Sequence, residues 1–349
     1  MQVRIHSHKR YIRYTNPALA GDVRLKWRLH RLVFSMIRGA AIAACGTNLN
    51  IHTVEECNLS QTIRQILQEA RRKLQKVEGA APALDSEVLL SHVTGLDRAG
   101  LYREWECTLP AHEEKYFWEM VMRRLLGEPV AYLTGCKEFM GLDFKVNPSV
   151  LIPRPETELL VETALALLPP APLVIDVGTG SGAIAVSLAS FLPESIVYAT
   201  DCSGEALEVA RNNAARHGVG SRVRFFRGEL LEPLAGVVPA NGVDLIAANL
   251  PYISSDELAG LPRSVRQFEP VLALDGGKGG LELYRRLIPT AAILLKKGGL
   301  LLLEIGFDQA RDMLGLLETS WEADIVKDLA GLDRLVVARL CDGAECKPA

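Results

Sequence analysis

At 349 residues, 48% apolar and 23% charged, the chain has the make-up of a globular protein of roughly two domains. That excludes a mainly disordered or collagen-like chain. The net charge of -3 hides an asymmetry: residues 1–50 hold nine Lys/Arg against Asp22 alone, leaving -11 for the rest. An acidic body argues against a strongly basic nucleic-acid-binding protein.

In chain order, residues 1–54 read as a basic, poorly ordered extension. The apolar stretch from Leu32 to Cys45 is interrupted by Arg38 and falls short of the ~20 residues of a membrane span. Arg-rich, acid-poor composition also describes a mitochondrial transit peptide, which stays open as an alternative to the expected cytosolic location. Seven cysteines without a CxxC pair read as single thiols of a reducing compartment. No ligand spacing points to a metal, so none is expected.

Residues 55–135 read as a helical domain for substrate recognition. Ile63, Ile66, Leu67, Ala70, Leu74 and Val77 recur at helical spacing. Asp85 is expected to cap the next helix, with Val88, Leu89 and Val93 inward and Gly95 ending it. A third helix spans about 111–126, with Phe117, Met120, Val121 and Leu125 on its inner stripe. Residues 136–158 form a linker. Phe139, Leu142, Phe144 and Val146 suggest a hairpin turning at Gly141. Pro153 and Pro155 then hold Arg154 extended, either braced by an acid or turned toward a site.

Residues 159–342 alternate strands and helices, which implies a mostly parallel sheet covered on both faces, with a late antiparallel hairpin. Strands are expected at 173–177, 196–200, 223–226, 243–248, 300–305, 323–326 and 334–340. A helix is expected over 281–297, with Pro289 a candidate kink. Residues 343–349 remain as a tail. Ligands of such sheets sit at the carboxyl ends of the strands. The first strand ends in Asp176, Val177, Gly178, Thr179, Gly180, Ser181 and Gly182, where glycines permit close backbone approach to a ligand. Asp201 ends the second and can accept from ribose hydroxyls. Glu229 and Leu230 follow the third, placed to meet an adenine amino group and ring nitrogen. Asn249, Leu250, Pro251 and Tyr252 follow the fourth.

Gly178, Gly180 and Ala183 also satisfy the dinucleotide fingerprint, so a nicotinamide dehydrogenase is a rival reading. Asn249 to Tyr252 has a chemical meaning that hydride transfer does not need. An amide nitrogen is a poor nucleophile. Two acceptors, the Asn249 side-chain oxygen and the Leu250 carbonyl, can hold its hydrogens while the Tyr252 ring packs on the flat amide. Positioning and electrostatics then carry the catalysis.

The stretches GEPVAYLTG, EFMGLDF, LIPRPETE, VIDVGTGSGAIA and NLPYI, in that order, resemble the peptide chain release factor N5-glutamine methyltransferases. The resemblance spans about residues 59–340. It implies a helical domain, a hairpin linker and a class I, Rossmann-like methyltransferase domain. It implies methylation of the glutamine amide in the Gly-Gly-Gln motif of class 1 release factors. The cofactor would be S-adenosyl-L-methionine, leaving S-adenosyl-L-homocysteine. By that resemblance Asp176, Gly178 to Gly182, Asp201, Glu229, Leu230 and Asn249 hold the cofactor. Asn249 to Tyr252 hold the glutamine, with Asn249, Pro251 and Tyr252 catalytic, and Arg154, Pro155 and Glu156 line or brace the site. Leu250 and Glu229 depart from the family's usual Pro and Asp, and the glycine run 276–280 is assigned no role. A monomer without stable nucleic-acid or membrane binding is expected. An adenine N6-methyltransferase is the nearer rival, because the same turn can grip an adenine amino group. A non-catalytic module in translation is a further one.

Overall fold

A computed structural model describes residues 61–317 and 320–341 of the chain. The readings of the basic leader and of the tail lie outside them. The described residues fall into two compact units that divide between Val130 and Ala131. No described helix is long and apolar enough to cross a membrane.

The first unit is helical. Helix α1 (Ile63–Leu74) starts at a capping box in which Thr62 and Gln65 satisfy each other's backbone N–H, and it ends in Arg71, Arg72 and Lys73. It buries the expected stripe from Ile63 to Leu74. Helix α2 (Pro82–Thr94) begins at proline, which needs no N–H partner there, and stops at left-handed Gly95. This start leaves Asp85 inside the helix, not at its cap. The inner face is Asp85, Ser86, Glu87, Leu89 and Leu90, while Val88 is exposed, contrary to the apolar stripe read from the sequence. Asp85 accepts from buried Arg124 at 2.9 Å, and Glu87 accepts from Arg71 and Tyr102. A short α3 (Arg98–Arg103) precedes α4 (Ala111–Leu125), which buries Phe117, Met120 and Val121.

Helix α5 (Val130–Thr134) leads to the hairpin β1 (Cys136–Phe139) and β2 (Leu142–Lys145). Its two turn residues, Met140 and Gly141, both have positive φ, as a tight hairpin requires. Glu158 accepts from the Met140 N–H and holds that strained residue. Helix α6 (Glu158–Leu167) follows a 3-10 turn at Pro155–Thr157.

The second unit is a seven-stranded sheet in the order β5-β4-β3-β6-β7-β9-β8. Its strands are β3 (Leu173–Val177), β4 (Ile196–Asp201), β5 (Val223–Arg227), β6 (Val243–Ala248), β7 (Leu295–Glu304), β8 (Trp321–Lys327) and β9 (Asp333–Leu340). The first five are parallel, and β9 runs antiparallel between β7 and β8. Helices α7 (Ala183–Phe191), α8 (Gly204–Arg216), α9 (Arg263–Arg266), α10 (Glu282–Leu294) and α11 (Ala310–Leu316) complete the unit. Alternate strand residues feed two cores. Val174, Leu245 and Leu302 pack under one face, and Ile175, Ile246 and Leu301 under the other with Tyr284 of α10.

One expectation needs correction. The helix read over 281–297 ends at Leu294, and Leu295 already pairs with Val243 of β6. Among the described residues, Cys107, Cys136 and Cys202 are free thiols.

Candidate active site

The chain runs outward from β3 through β4 to β5, then returns to place β6 on the other side of β3. The carboxyl ends of β3 and β6 therefore splay at a switch point. A cleft of about 340 Å³ opens there, within the range of small-molecule sites.

The glycine loop forms its floor. Gly178 has φ +72, and a Cβ there would meet Leu250 at 3.0 Å, so only glycine lets the loop lie against the turn after β6. Asp201 ties the loop to β4: its Oδ2 accepts from the Gly180 N–H and its Oδ1 from the Ser203 N–H, both at 2.9 Å. Burial raises its carboxyl above the ordinary range, against the pull of those backbone donors. Gly178, Thr179, Gly180, Ser181, Asp201, Glu229, Leu230, Asn249, Leu250, Pro251 and Arg154 all line the cleft.

Five predicted residues do not line it, among them Pro155, which opens the 3-10 turn. Asp176 is wholly buried beneath the loop, where its Oδ2 accepts from Thr179 Oγ1 at 2.6 Å and from the Ala185 N–H. It is a brace for the loop. Gly182 starts α7 at φ +82, and a Cβ would crowd Ala210, so its glycine serves helix packing. Glu156 is exposed on the 3-10 turn. Tyr252 is half-buried in the same turn, within electrostatic reach of Glu304, Arg334, Arg154 and Glu156, and burial pushes its hydroxyl up to about 12.

Glu229 sits at the rim, where Arg286 of α10 grips its Oε1 at 2.6 Å and holds its carboxyl below the ordinary range. Leu230 adopts φ +49, unusual for leucine, and Thr200 Oγ1 donates to its carbonyl at 2.8 Å. Arg154 is extended as the flanking prolines require, and it pairs with Glu269. Glu269 is buried and also accepts from the Ile152 N–H, so one carboxylate fixes both the arginine and its strand-like lead-in.

Asn249 Nδ2 donates to Thr157 Oγ1 at 3.0 Å, which leaves the amide oxygen for the cleft. The Leu250 carbonyl lies 3.3 Å from the Tyr284 hydroxyl, whose closer acceptor is the Glu304 carbonyl. Tyr252 O accepts from Gln309 Nε2 at 2.8 Å. The glycine run 276–280 backs the same turn: a Cβ at Gly276 would strike Pro251 O at 2.6 Å, and one at Gly280 would strike Tyr252 O at 2.1 Å. Sequence reasoning missed Thr157, Glu269, Tyr284, Glu304 and this glycine brace. Only the bunching of glycines hinted at a close approach. The others are single polar residues whose partners lie far along the chain.

An adenosine-type ligand fits this donor set. The loop has room for backbone approach, Asp201 presents a carboxylate, and Leu230 offers main-chain polarity beside apolar surface. A nicotinamide dehydrogenase would repeat the mononucleotide half, whereas β9 enters antiparallel. The parallel sheet closed by antiparallel strands, with this cleft at its switch point, defines a class I methyltransferase domain. A family model described as Methyltransferase domain matches residues 171–310, and one described as PrmC N-terminal domain matches residues 65–135. A Moorella thermoacetica protein named release factor glutamine methyltransferase is 46% identical over 282 residues, covering 79% of this chain and 98% of its own. One of the same name from Nitratidesulfovibrio vulgaris is 44% identical over 283 residues, covering 80% and 95%. A methyltransferase crystal structure from Pyrococcus furiosus aligns at TM-score 0.43 and 22% identity, covering 63% of this chain and 96% of that one. The chain belongs to the release factor glutamine methyltransferase family.

Proposed function

We propose that this chain methylates the N5 side-chain amide nitrogen of the glutamine in the Gly-Gly-Gln motif of class 1 peptide chain release factors, and so modulates translation termination in the cytosol. The observation that carries the reading is the Asn249 carboxamide. Its NH2 is engaged by Thr157, so an acceptor oxygen is left at the cleft beside the Leu250 carbonyl. Two acceptors suit a planar NH2 group with two hydrogens.

S-adenosyl-L-methionine, when bound, supplies an activated methyl group. Gly178 to Ser181, Asp201 and the Glu229–Leu230 turn would hold it. Asp201 accepts hydroxyl hydrogens, and the loop admits the ligand without Cβ collisions. Asn249 Oδ1 and the Leu250 carbonyl each accept one amide hydrogen. They orient the nitrogen and stabilise the positive charge that develops on it, without reorganisation. Pro251 stiffens the turn between them. One copy of the chain carries both acceptors and the whole cleft, so a monomer suffices.

The test uses labelled S-adenosyl-L-methionine with a class 1 release factor, with unrelated DNA, and with no substrate. Label on the release-factor glutamine is expected. Label on DNA adenine would replace this reading by the adenine one. Asn249→Ala is expected to lower kcat by on the order of 10²-fold while changing cofactor Kd far less. Wild-type kcat in that variant would remove Asn249 from the reaction.

A further inference from the structure

The glycine loop and the linker hairpin meet at one side chain, the carboxamide of Asn213 on α8, which is 0% exposed. Its Oδ1 accepts from the Lys145 N–H of β2 at 2.8 Å. Its Nδ2 donates to the Lys145 carbonyl at 3.0 Å and to the Ser181 carbonyl at 2.8 Å. These partners fix the orientation, because a flipped amide would set NH2 against an N–H and its oxygen against two carbonyls. The Ser181 carbonyl needs this donor because of how α7 begins. In a regular helix it would accept from the N–H four residues on, at Ala185. Asp176 Oδ2 takes that N–H at 3.1 Å. The other side of the same peptide, the Gly182 N–H, closes a turn onto Thr179 O at 2.8 Å. The Ser181–Gly182 peptide is therefore pinned at both ends, and Thr179 and Ser181 both line the cleft. Lys145, for its part, leads into the linker. Beyond it Val146, Val150 and Ile152 pack with Ala206 and Val209 of the same α8, and from Ser149 the chain lines the cleft.

We infer that Asn213 is a positioning residue for the cofactor: it fixes the Ser181–Gly182 peptide of the glycine loop and shares that hold with β2, so that loop and hairpin are set together. The inference rests on the assignment of the glycine loop to S-adenosyl-L-methionine. Removing the amide strands two carbonyls and one N–H in the interior, each of which then seeks another partner. For Ser181 that search tilts the peptide that closes the Thr179–Gly182 turn, and the cleft floor tilts with it. The coupling is reciprocal: what the hairpin lends the loop, a ligand bound at the loop returns to the hairpin. A second tie joins the same helix and hairpin without touching the loop. His217 Nε2 lies 2.9 Å from Asp143 O, and its ring packs on Phe144 with centroids 5.4 Å apart. It separates a loosened hairpin from a loosened loop.

Full-length wild type, Asn213→Ala, Asn213→Asp and His217→Ala are compared, with S-adenosyl-L-homocysteine as the probe so that no turnover intervenes. The readouts are its Kd by calorimetry, well below each Tm, and hydrogen exchange of the Lys145 amide with and without it. In the wild type, saturation should slow exchange at Lys145 by at least about threefold, a response that needs no variant to fold. Asn213→Ala is expected to weaken Kd about tenfold and to abolish that response. Asn213→Asp keeps the volume and the acceptor for the Lys145 N–H, but sets a carboxylate oxygen against the Ser181 carbonyl. It should weaken Kd at least as much, which assigns the effect to the bond and not to packing. His217→Ala should lower Tm yet leave Kd within about twofold of wild type and keep the exchange response, a split that a merely structural role for Asn213 would not produce. A Kd in Asn213→Ala equal to that of wild type, an equal weakening in His217→Ala, or a wild-type Lys145 amide indifferent to the ligand overturns the inference alone. A wild type that binds no S-adenosyl-L-homocysteine overturns the cofactor assignment, and the inference falls with it.

Discussion

Asp176 shows how one side chain can shape a site it never touches. Its carboxyl is wholly buried, with Oδ2 engaged and Oδ1 without a partner. Burial pushes it up to about 7, the donors Thr179 and Ala185 pull it down, and Asp201 adds repulsion. The folded pKa therefore lies above the unfolded value of 3.8. Stability from this group is full below that value and is lost as pH rises through about 7. Asp176→Asn keeps an acceptor oxygen for both donors and cannot ionise. Thermal unfolding should then show a flatter pH dependence between about 4 and 7, and a Tm at pH 8 about 2–4 °C above wild type. A pH slope equal to that of wild type would refute this. The Asp-x-Gly-x-Gly spacing marked Asp176 as a ligand because a motif gives positions, not faces. Asp201, which does line the cleft, has the same residue type at the same kind of strand end.

At the scale of elements, the acceptor turn after β6 is held from behind by the glycine run 276–280. Ile253 N donates to Leu274 O at 3.1 Å, and Gly276 N donates to Ile253 O at 2.8 Å, so the two segments clasp like a pair of strands. Gly279 and Gly280 both have positive φ, but a Cβ at Gly279 meets nothing within 4 Å, whereas one at Gly280 strikes Tyr252 O at 2.1 Å. Gly279→Ala should cost only the backbone strain, about 1–2 kcal/mol in thermal unfolding, with kcat near wild type. Gly280→Ala should cost more and also lower kcat at least about tenfold, because the turn that carries the acceptors must move. Equal behaviour of the two variants would show that the run does not brace the turn. The strands were legible because apolar runs bounded by turn residues leave few other options. The end of α10 was not. Leu294 to Lys297 continues the helical pattern acceptably, and only pairing of Leu295 with Val243 across the sheet decides for strand. The clasp was invisible for the same reason: its two halves are far apart in sequence.

At the scale of the whole molecule, the chemistry is confined to one of the two units, since every residue lining the cleft lies within 149–283. The helical unit has its own core, and part of that core is ionic. Periodicity showed the helices, but not that α2 turns Asp85 and Glu87 inward, because charge in a helical pattern reads as a solvated face. Asp85 and Arg124 are paired at 2.9 Å with side-chain exposures of only 12% and 6%. Asp85→Ala would leave the guanidinium buried with the Glu128 carbonyl as its remaining acceptor. Breaking such a pair from one side costs about 3–5 kcal/mol, far more than an exposed ion pair contributes. Asp85→Ala in the full chain should therefore lower the Tm of the helical unit by several degrees. Cofactor Kd, measured by calorimetry well below that Tm, should stay within about twofold of wild type, because no cleft residue has changed. A weakened cofactor Kd would show that the helical unit shapes the cleft, and an unchanged Tm would show that Arg124 finds another partner without cost.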